Sequence, residues 1–456
     1  MSRRRVVVIG GGITGLAAAD ALLAVSDDVR PDVVLLEAEP TLGGKVRTSP
    51  FDGLPAVDEG PDAFLARVPW ATALARDVGL GDQLVSPTSG SAAVWWERLH
   101  PIPAGLVLGL PTDLGRLAGT HLISWRGKAR AATELFRRRT SLDDDSIGAF
   151  VRSRFGDEVH ERLVDPLVGS IYAADTDRFS LAAVPQLDEL ARSHRSILLG
   201  SRSRGATAPT GPVFYAPSGG MADLISAVAR RVTDHGGTIR TGTPASPLRP
   251  DGLGWRVGDE YADAVVLACP AVHAAHLLHL TDVAPAVAAE LASIEYADVA
   301  MVTMSVDLAT WPERLHGMSG YLVPKPVQQL VTAVSFGSQK WAHWARPDSV
   351  LLRISLGRDG RPVDHLTDDQ LIDAAVTETS RHLGVTLVPT AARTTMWHRA
   401  FPQYRPHHHE RIARISESLP PTLALAGASY HGIGIPACVR SGQGAAAAVT
   451  ATLRHP

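Results

Sequence analysis

The stretch Arg5-Val6-Val7-Val8-Ile9-Gly10-Gly11-Gly12-Ile13-Thr14-Gly15 decides the fold of this chain. Its first five residues form a mostly β-branched run that ends at glycine, which is the pattern of a buried parallel strand. The glycines that follow have the spacing G-x-G-x-x-G, and the run from Leu16 to Val25 is rich in Ala and Leu, which predicts a helix. A second buried strand is predicted from Asp32 to Leu36. The order of strand, glycines, helix and strand indicates a unit that binds a dinucleotide.

Several positions of this unit have a definable physical role. Gly10 permits the tight turn, Gly12 lets backbone N–H groups approach a pyrophosphate, and Gly15 allows the helix to pack closely on the strand. The pyrophosphate would lie at the positive end of the helix. Glu37 ends the second strand, about 20 residues after Gly15, and would accept hydrogen bonds from a ribose. The alternative interpretation is a glycine-rich turn that holds no ligand.

Two later segments carry a related signal. Gly43-Gly44-Lys45-Val46-Arg47-Thr48 combines two glycines, which let a chain pass close to a ligand, with cations that can meet a phosphate. Taken alone, it is equally typical of any turn after a strand. Near the carboxyl end, a short strand from Leu423 to Ala426 precedes the glycine-rich segment Gly427 to Pro436 and a helix from Ala437 to Leu453. This arrangement makes a second helix N-terminus available to an anion or an electron-rich ring.

The rest of the chain predicts a discontinuous nucleotide domain and two other regions. In the nucleotide domain, Val213 to Ser218 leads into Gly219-Gly220-Met221 and a predicted helix that ends at Val232. Further strands are predicted at Thr238 to Arg240, Trp255 to Val257 and Ala264 to Ala268. The stretch from Leu106 to Leu199 is predicted to be mostly helical, with helix starts at Thr112-Asp113 and Asp145-Ser146. An antiparallel sheet is predicted from strands at residues 300–307, 329–335 and 350–356, followed by a helix over 368–383.

The composition narrows the class of protein. The chain has 456 residues, of which 45% are hydrophobic and 20% charged, as in a globular enzyme of two or three domains. A formal net charge of -3 argues against a general nucleic-acid binder. Two cysteines, Cys269 and Cys438, cannot form a disulfide framework, and no apolar run is long enough to span a membrane. The amino-terminal apolar run is too short for a signal peptide, so we expect a cytoplasmic enzyme.

Together these motifs resemble the FAD-dependent amine-oxidase superfamily, and within it the chain is similar to the bacterial, Gram-positive-type coproporphyrinogen III and protoporphyrinogen oxidases. The resemblance extends over nearly the whole chain. Its more specific stretches are Asp58 to Leu65, Ser146 to Gly156, Pro166 to Asp175, Tyr215 to Met221, Trp397 to Tyr404 and Gly427 to Gly442. The first of these and Trp397-x-x-Ala400-x-Pro402-Gln403-Tyr404 favour porphyrinogen oxidases over the broader superfamily.

The resemblance implies an α/β and α+β architecture like that of p-hydroxybenzoate hydroxylase. It comprises a discontinuous Rossmann-like FAD-binding domain, an antiparallel-sheet substrate domain and a mainly helical domain that in relatives touches membranes. The FAD-binding domain is expected at residues 1–75, 205–275 and 420–456. The helical domain is expected at 76–200, where it supplies part of the substrate pocket, and the substrate domain at 276–419.

The resemblance also implies noncovalent FAD, since no attachment motif is evident, although Cys438 near the flavin leaves covalent attachment open. The residues expected to bind FAD are Gly10, Gly11, Gly12, Thr14, Gly15, Glu37, Ala38, Gly43, Gly44, Lys45, Arg47, Gly60, Pro61, Asp62, Gly427, Gly434, Ile435 and Pro436. No metal ligand set is predicted, because the consecutive His407, His408 and His409 cannot all face one ion and are expected in a surface loop.

The implied reaction belongs to heme biosynthesis and oxidises coproporphyrinogen III to coproporphyrin III by six electrons. Each of three two-electron steps passes a hydride from the macrocycle to flavin N5, and three O₂ become three H₂O₂. The chain has no second dinucleotide fingerprint for NAD(P), which favours an oxidase over a reductase. No catalytic side chain is predicted. The expected partners are the porphyrinogen, O₂ and a transient hand-off to the coproporphyrin ferrochelatase, with no nucleic acid and at most a peripheral contact with membranes.

Three residues are expected to bind the substrate. The family's basic substrate contacts fall near Arg67, and Arg195 lies in a segment that resembles the family. Arginine suits bidentate binding of a propionate. For either one, an ordinary surface cation or a structural pair is the alternative. Tyr404 is expected to stack on the macrocycle or hydrogen-bond near it, with a packed core tyrosine as the alternative.

Other functions remain open at this point. The nearest is oxidation of protoporphyrinogen IX, followed by another flavin amine oxidase or a carotenoid desaturase. A carrier like the GDP-dissociation inhibitors is the non-enzymatic alternative, but it predicts loss of the phosphate-binding glycines, which are all present here.

Overall fold

The computed structural model describes residues 3–27, 29–88, 90–203, 211–281 and 283–454. The chain divides into two units. The first unit comprises Met1–Ser86, Gly211–Ile294 and His409–Pro456, and the second comprises Pro87–Thr210 and Glu295–His408. The second unit therefore contains most of both regions that the sequence predicts as separate helical and substrate domains. The functional assignment of these segments stays a prediction.

A five-stranded parallel sheet forms the centre of the first unit. Its strands lie in the order Thr238–Arg240, Asp32–Leu36, Arg5–Ile9, Ala264–Leu267 and Leu423–Leu425. The middle strand carries Val6, Val7 and Val8, which are fully buried, as a strand covered on both faces requires. In such sheets ligands bind beyond the carboxyl ends of the strands where the strand order reverses, which here is at Gly10 and Ala268.

The helices of the first unit cover this sheet. They are Ile13–Leu23, Pro69–Asp77, Ala222–Asp234, Ala271–His279, Pro285–Ala292 and Ile435–Arg454, with His408–Glu417 beginning at the unit boundary. Helix Ile13–Leu23 is buried almost all round because it packs on both Ile435–Arg454 and Ala222–Asp234. Smaller sheets pair Thr48–Phe51 with Leu54–Asp58, Phe214–Pro217 with Phe64–Leu65 and Leu84–Val85, and Gly254–Val257 with Leu248–Asp251 and Glu260–Ala262.

The second unit is built on a seven-stranded sheet. Its order is Pro389–Pro402, Tyr296–Asp307, Ser349–Leu356, Val331–Phe336, Met318–Leu322, Ser91–Trp96 and Arg98–Pro101. All neighbours are antiparallel except Met318–Leu322 and Ser91–Trp96. The predicted helix is confirmed at Asp368–Leu383, where Thr367 and Gln370 form a capping box. The two strands within 91–101 are not among the predicted elements.

Helices fill the remainder of the second unit. They are Leu114–Gly119, Trp125–Ala132, Ile147–Phe155, Asp157–Val159, Ser170–Tyr172, Pro185–Ser193, Ile197–Ser203 and Gly337–Lys340, with a π-helix at His160–Gly169. The predicted helix starts are confirmed, since Asp113 caps Leu114–Gly119 and Ser146 caps Ile147–Phe155. A small strand pair joins Leu106–Val107 to Leu110–Pro111.

The predicted surface loop at His407-His408-His409 is wrong in part. Helix His408–Glu417 begins inside it, and the ring of His408 is buried in a stack on Tyr404 with centroids 4.3 Å apart. The aromatic contact accounts for the burial of His408, which was expected in a surface loop. Across the residues that the structure describes, no helix is both long enough and apolar enough to cross a membrane.

Candidate functional site

Backbone contacts fix the turn that follows strand Arg5–Ile9. The N–H of Gly10 donates to the carbonyl of Leu36 at 2.8 Å, and Gly10 has φ +113°, which favours glycine. A Cβ built on Gly10 would lie 2.6 Å from the carbonyl oxygen of Ala268. A Cβ on Gly15 would come closer than 3.0 Å to the carbonyl oxygen of Gly10. The close approach of helix to strand therefore requires both glycines.

Gly12 has a different environment, because space is open beside it. It is the N-cap of helix Ile13–Leu23, and a Cβ built on it would have one described atom within 4 Å, the carbonyl oxygen of Gly43 at 3.9 Å. The cap makes no side-chain hydrogen bond, and the first helical turn carries no acidic residue. The residues present thus fit an anion bound at the helix N-terminus, where backbone N–H groups and the helix dipole both favour negative charge.

Glu37 lies at the carboxyl end of the neighbouring strand and is directed at the same turn. Its Oε2 accepts a hydrogen bond from the N–H of Gly11 at 2.6 Å, and its Oε1 accepts one from Glu39 at 2.8 Å. A Cβ on Gly11 would lie 2.9 Å from that of Glu37. Ala38, which follows, is exposed. The carboxylate is therefore held at the edge of the turn, where a ribose hydroxyl would need an acceptor.

The structure brings the Gly43-Gly44 doublet against the first glycine motif. Gly43 forms a parallel bridge with Gly12, and its N–H donates to the carbonyl of Gly11 at 2.9 Å. A Cβ on Gly44 would lie 3.8 Å from the Cα of Gly12. Because the two segments touch along their backbones, the doublet belongs to the same site and is more than an ordinary turn.

Lys45 and Cys438 link this region to the carboxyl-terminal motif. Burial lowers the pKa of the Lys45 ammonium. Burial also raises the pKa of the Cys438 thiol to about 11, although a hydrogen bond with Thr14 and the charge of Lys45 oppose that rise. The thiol also lies 3.6 Å from the carbonyl oxygen of Ile433. Residues far apart in the chain therefore meet at the start of the first helix.

The carboxyl-terminal glycine segment is held by its own helix. The N–H of Gly427 donates to Oγ of Ser441 at 3.0 Å, and a Cβ on Gly427 would lie 3.8 Å from Oγ1 of Thr14. Helix Ile435–Arg454 begins at Ile435, with Pro436 buried in its first turn and no acidic residue there. The carbonyl of Gly434 accepts from the N–H of Cys438 at 3.0 Å. This segment thus presents the predicted second helix N-terminus.

The predicted residues Gly60, Pro61 and Asp62 follow a hairpin that a buried aspartate anchors. Asp58 is fully buried, and its Oδ1 accepts hydrogen bonds from Oγ1 of Thr48 at 2.5 Å and from the N–H of Met221 at 2.8 Å. The carbonyl of the exposed Arg47 accepts from Glu59 at 2.9 Å, which places it beside the segment. Asp58 was not predicted as a site residue, although it opens the stretch Asp58 to Leu65 that carries the resemblance.

The three residues predicted to bind substrate fall in different units. Arg67 is exposed, just beyond strand Phe64–Leu65 in the first unit. Arg195, in the second unit, is also exposed and donates to the carbonyls of Arg137 and Leu135 at 3.2 and 3.3 Å. Tyr404, also in the second unit, is fully buried in the stack with His408. Its observed contacts are those of a core residue, so a contact with substrate stays a prediction.

A charged cavity of about 300 Å³ in the second unit was not predicted from the sequence. Nζ of Lys325 lies 2.6 Å from a carboxylate oxygen of Asp175, and Nε of Arg152 lies 3.1 Å from Asp177. Burial lowers the pKa of His160, which also lines the cavity. Arg152 and Lys325 already have carboxylate partners, so the cavity does not offer these two cations as receptors for a substrate carboxylate, and Arg361, which also lines it, donates to backbone carbonyls.

Comparison with known proteins agrees with this geometry. The family model described as flavin containing amine oxidoreductase matches residues 13–450. The coproporphyrinogen III oxidase of Bacillus subtilis is 32% identical over 97% of both chains, and that of Mycobacterium tuberculosis strain H37Rv is 36% identical over 96% of both. The crystal structure of a candidate protoporphyrinogen oxidase from Exiguobacterium superposes with a TM-score of 0.86 and 32% identity, covering 99% of this chain and 100% of that one.

These matches confirm the predicted fold class, in which a parallel nucleotide-type sheet is combined with an antiparallel sheet and helices. The match to the family model includes the glycine motif from Ile13 onward, the Gly43-Gly44 doublet and most of the carboxyl-terminal helix. These are the segments that the structure brings together in the first unit. The chain belongs to the family of flavin containing amine oxidoreductases.

Proposed function

We propose that this chain is an FAD-dependent oxidase of heme biosynthesis that converts coproporphyrinogen III to coproporphyrin III. The observation that carries the proposal is the near full-length similarity to curated coproporphyrinogen III oxidases, at up to 36% identity over 96% of the chain. The proposed balance is one coproporphyrinogen III and three O₂ to one coproporphyrin III and three H₂O₂.

Groups of the first unit that suit an anion and a ribose support FAD as the cofactor. Gly12 and the N-terminus of helix Ile13–Leu23 would hold the pyrophosphate, and Glu37 would accept hydrogen bonds from the ribose. Lys45 and the N-terminus of helix Ile435–Arg454 would hold the remaining electron-rich groups. When bound, FAD supplies the two-electron oxidation and passes the electrons to O₂. The protein's own contribution is to bind, orient and exclude water around the reacting carbon, which can account for much of the barrier reduction.

Noncovalent binding of FAD is part of the proposal. The thiol of Cys438 is protonated at neutral pH, because burial raises its pKa to about 11, and a protonated thiol is a poor nucleophile. Acid precipitation of the yellow protein should therefore leave a colourless pellet and a yellow supernatant. A pellet that stays yellow after washing would contradict noncovalent binding.

Substrate recognition is assigned to cations. Coproporphyrinogen III carries four propionates, so its site needs more positive charge than a site for protoporphyrinogen IX, which carries two. Arg67 and Arg195 are the proposed contacts, with Tyr404 as the proposed aromatic neighbour. No side chain is assigned as a general base, and pyrrole protons would leave through water.

Oxidation of protoporphyrinogen IX is the second candidate. The structural similarity to the candidate protoporphyrinogen oxidase of Exiguobacterium favours it. The two candidates share the flavin chemistry and differ in the number of substrate carboxylates. The ratio of kcat/KM for the two porphyrinogens therefore decides between them.

The experiment starts with purified holoprotein mixed anaerobically with coproporphyrinogen III or protoporphyrinogen IX. We expect flavin absorbance to fall and, after air is admitted, porphyrin fluorescence and three H₂O₂ per porphyrin to appear. A higher kcat/KM for the tetracarboxylate supports the proposal, and a higher value for protoporphyrinogen IX supports the second candidate. If neither porphyrinogen is oxidised, the proposal is wrong, and amines and carotenoid precursors are tested next. A colourless protein that FAD cannot reconstitute would favour a carrier.

The remaining partners follow from the same proposal. We place the enzyme in the cytoplasm, with O₂ as acceptor and a transient hand-off of the product to the coproporphyrin ferrochelatase. Contact with membranes would be peripheral in this proposal. Trp125 and Phe136, which are 73% and 84% exposed, are the large apolar side chains that such a contact would bury.

A further inference from the structure

We propose that Ser441 and Gly442 are positioning residues for bound FAD. They fix the crossing of helix Ile435–Arg454 on helix Ile13–Leu23, the two helices whose N-termini hold FAD in the proposed function. The inference rests on that function only through the identity of the cofactor. It does not depend on which porphyrinogen is oxidised.

Gly442 is the point at which the two helix backbones touch. A Cβ built on Gly442 would come closer than 3.0 Å to the carbonyl oxygen of Thr14 and would lie 3.1 Å from the backbone nitrogen of Ala18. These atoms are backbone and cannot rotate away as a flexible side chain would. Any residue larger than glycine must therefore move one helix by about 1 Å to restore ordinary van der Waals contact.

The crossing lies within two turns of both helix starts. Thr14 is the second residue of helix Ile13–Leu23, two residues after the N-cap Gly12. On the other helix, Ser441 accepts the hydrogen bond of Gly427, and Cys438 interacts with Thr14. A shift at Gly442 is thus transmitted to the N–H groups next to Gly12 and to the Gly427 segment. Displacements of about 1 Å at a binding constellation cost up to about 100-fold in function.

Gly444 provides a matched control on the same helix. Among the residues that the structure describes, none has an atom within 4 Å of a Cβ built on Gly444, which is exposed. Replacing either glycine by alanine gains the same helix propensity, about 1 kcal/mol. The difference between the variants Gly442→Ala and Gly444→Ala therefore isolates the helix crossing from the effect of helix propensity.

The experiment uses the full chain, stripped of FAD and titrated with FAD. We expect Gly442→Ala to weaken FAD binding by 10-fold to about 100-fold and to shift the flavin absorption spectrum and midpoint potential. We expect Gly444→Ala to match wild type in all three. Gly442→Ala protein with the wild-type affinity, spectrum and potential would overturn the proposal.

A second pair covers the case in which Gly442→Ala does not fold. Ser441→Ala removes the acceptor for Gly427 without adding atoms at the crossing, whereas Ser441→Thr keeps a hydroxyl there. We expect about 10-fold weaker FAD binding for Ser441→Ala and recovery for Ser441→Thr. Equal affinities for Ser441→Ala and wild type would overturn the proposal. Wild-type protein that fails to bind FAD at all would instead refute the proposed function, and this inference with it.

Discussion

The two units of the molecule bury charge very differently. Among the described residues of the first unit, the most deeply buried Asp, Glu, Lys, Arg and His side chains are two aspartates, Asp20 and Asp58, whereas Lys45 is only partly buried. In the second unit they are His100, Glu134, Asp145, Arg154, His160, Asp165, Arg353, Arg358, Glu378, His382 and His408. Close backbone contacts at glycines organise the first helix and its turn in the first unit, and the second unit is distinguished by buried polar pairs between distant segments.

This difference predicts which substitutions destabilise each unit. Close backbone packing fails when a side chain is added, because interiors are packed at the density of organic crystals. A buried ion pair fails when one partner is removed, because the other charge then stays in a low-dielectric environment without compensation. Substitutions can therefore distinguish the two kinds of organisation.

The largest effect is expected from Gly15→Ala in the first unit. The added Cβ would overlap the carbonyl oxygen of Gly10, so the helix and strand must separate. We expect the free energy of unfolding of the FAD-free protein to fall by more than about 3 kcal/mol in urea titrations. Gly12→Ala is the control, because its Cβ meets open space. That variant should keep wild-type stability and lose FAD affinity. A Gly15→Ala protein as stable as wild type would contradict the role of close backbone packing.

The next effect is expected from Asp165→Asn in the second unit. Asp165 and Arg358 are 1% and 4% exposed and form two hydrogen bonds, at 2.9 and 3.1 Å. The substitution leaves the guanidinium buried without its counter-charge but keeps one oxygen as acceptor, so we expect a loss of about 3 kcal/mol in the free energy of unfolding. Asp251→Asn, which breaks an exposed pair with Arg256 in the first unit, should cost less than about 1 kcal/mol. Equal losses for the two variants would refute the comparison.

The carboxylate of Asp165 also makes the free energy of unfolding depend on pH. Burial alone would raise the pKa of Asp165, but Arg358 and Thr176 together lower it below its ordinary value. The stabilisation is therefore present above the unfolded-state pKa, about 3.9, and is lost as the pH falls through the lower folded-state value. Asp165→Asn should flatten the dependence of unfolding on pH below about 4. A wild-type slope in the variant would show that other carboxylates cause it.

A third effect is a pH dependence of the free energy of unfolding that His382 causes. Burial lowers the pKa of His382 to about 4, and the charge of Arg381 adds to the shift. The neutral ring accepts or donates a hydrogen bond with the hydroxyl of Tyr321 at 3.2 Å and lies 4.2 Å from the ring of Trp95. Because the folded-state pKa is depressed, the stabilisation is complete above about pH 6.5 and is lost as the pH falls toward 4.

We expect wild type to lose up to about 3 kcal/mol of unfolding free energy between pH 7.5 and pH 4.5 through this histidine. His382→Gln should remove that part of the slope. His279→Gln, at an exposed position in the first unit, is the control and should leave the slope unchanged. An unchanged slope in His382→Gln would show that its burial does not couple to unfolding.

The two kinds of organisation also explain what could be predicted from the sequence. The contacts of Gly10, Gly12 and Gly15 can be predicted from the sequence, because they follow from local geometry that any dinucleotide-binding turn shares. Asp165 and Arg358 stand 193 residues apart, and no local pattern signals that they pair. The strands within 91–101 pair with each other, but the place of Ser91–Trp96 in the seven-stranded sheet depends on Met318–Leu322, more than two hundred residues away, and no local pattern signals that pairing. Local motifs therefore predicted the glycine contacts of the first unit, whereas the long-range pairs of the second unit leave no local pattern in the sequence.

The smallest effect compares the two predicted substrate cations, one from each unit. Arg67 is exposed, so Arg67→Ala should raise KM for coproporphyrinogen III by up to about fivefold with kcat unchanged, as expected for an exposed charge pair. The effect on protoporphyrinogen IX should be smaller, because that substrate has fewer carboxylates. Arg249→Ala, another exposed arginine of the first unit, is the control and should leave both KM values unchanged.

Arg195 should behave differently, because its guanidinium already donates to the carbonyls of Arg137 and Leu135. Loss of those bonds in Arg195→Ala should lower the free energy of unfolding by about 1 kcal/mol, in addition to any change in KM. If Arg195→Ala raises KM for the tetracarboxylate without loss of stability, then its bonds to backbone are incidental and the residue acts mainly on the substrate. If neither arginine changes KM, the propionates are bound by other cations of the chain, and substitution of the remaining exposed arginines one at a time would identify them.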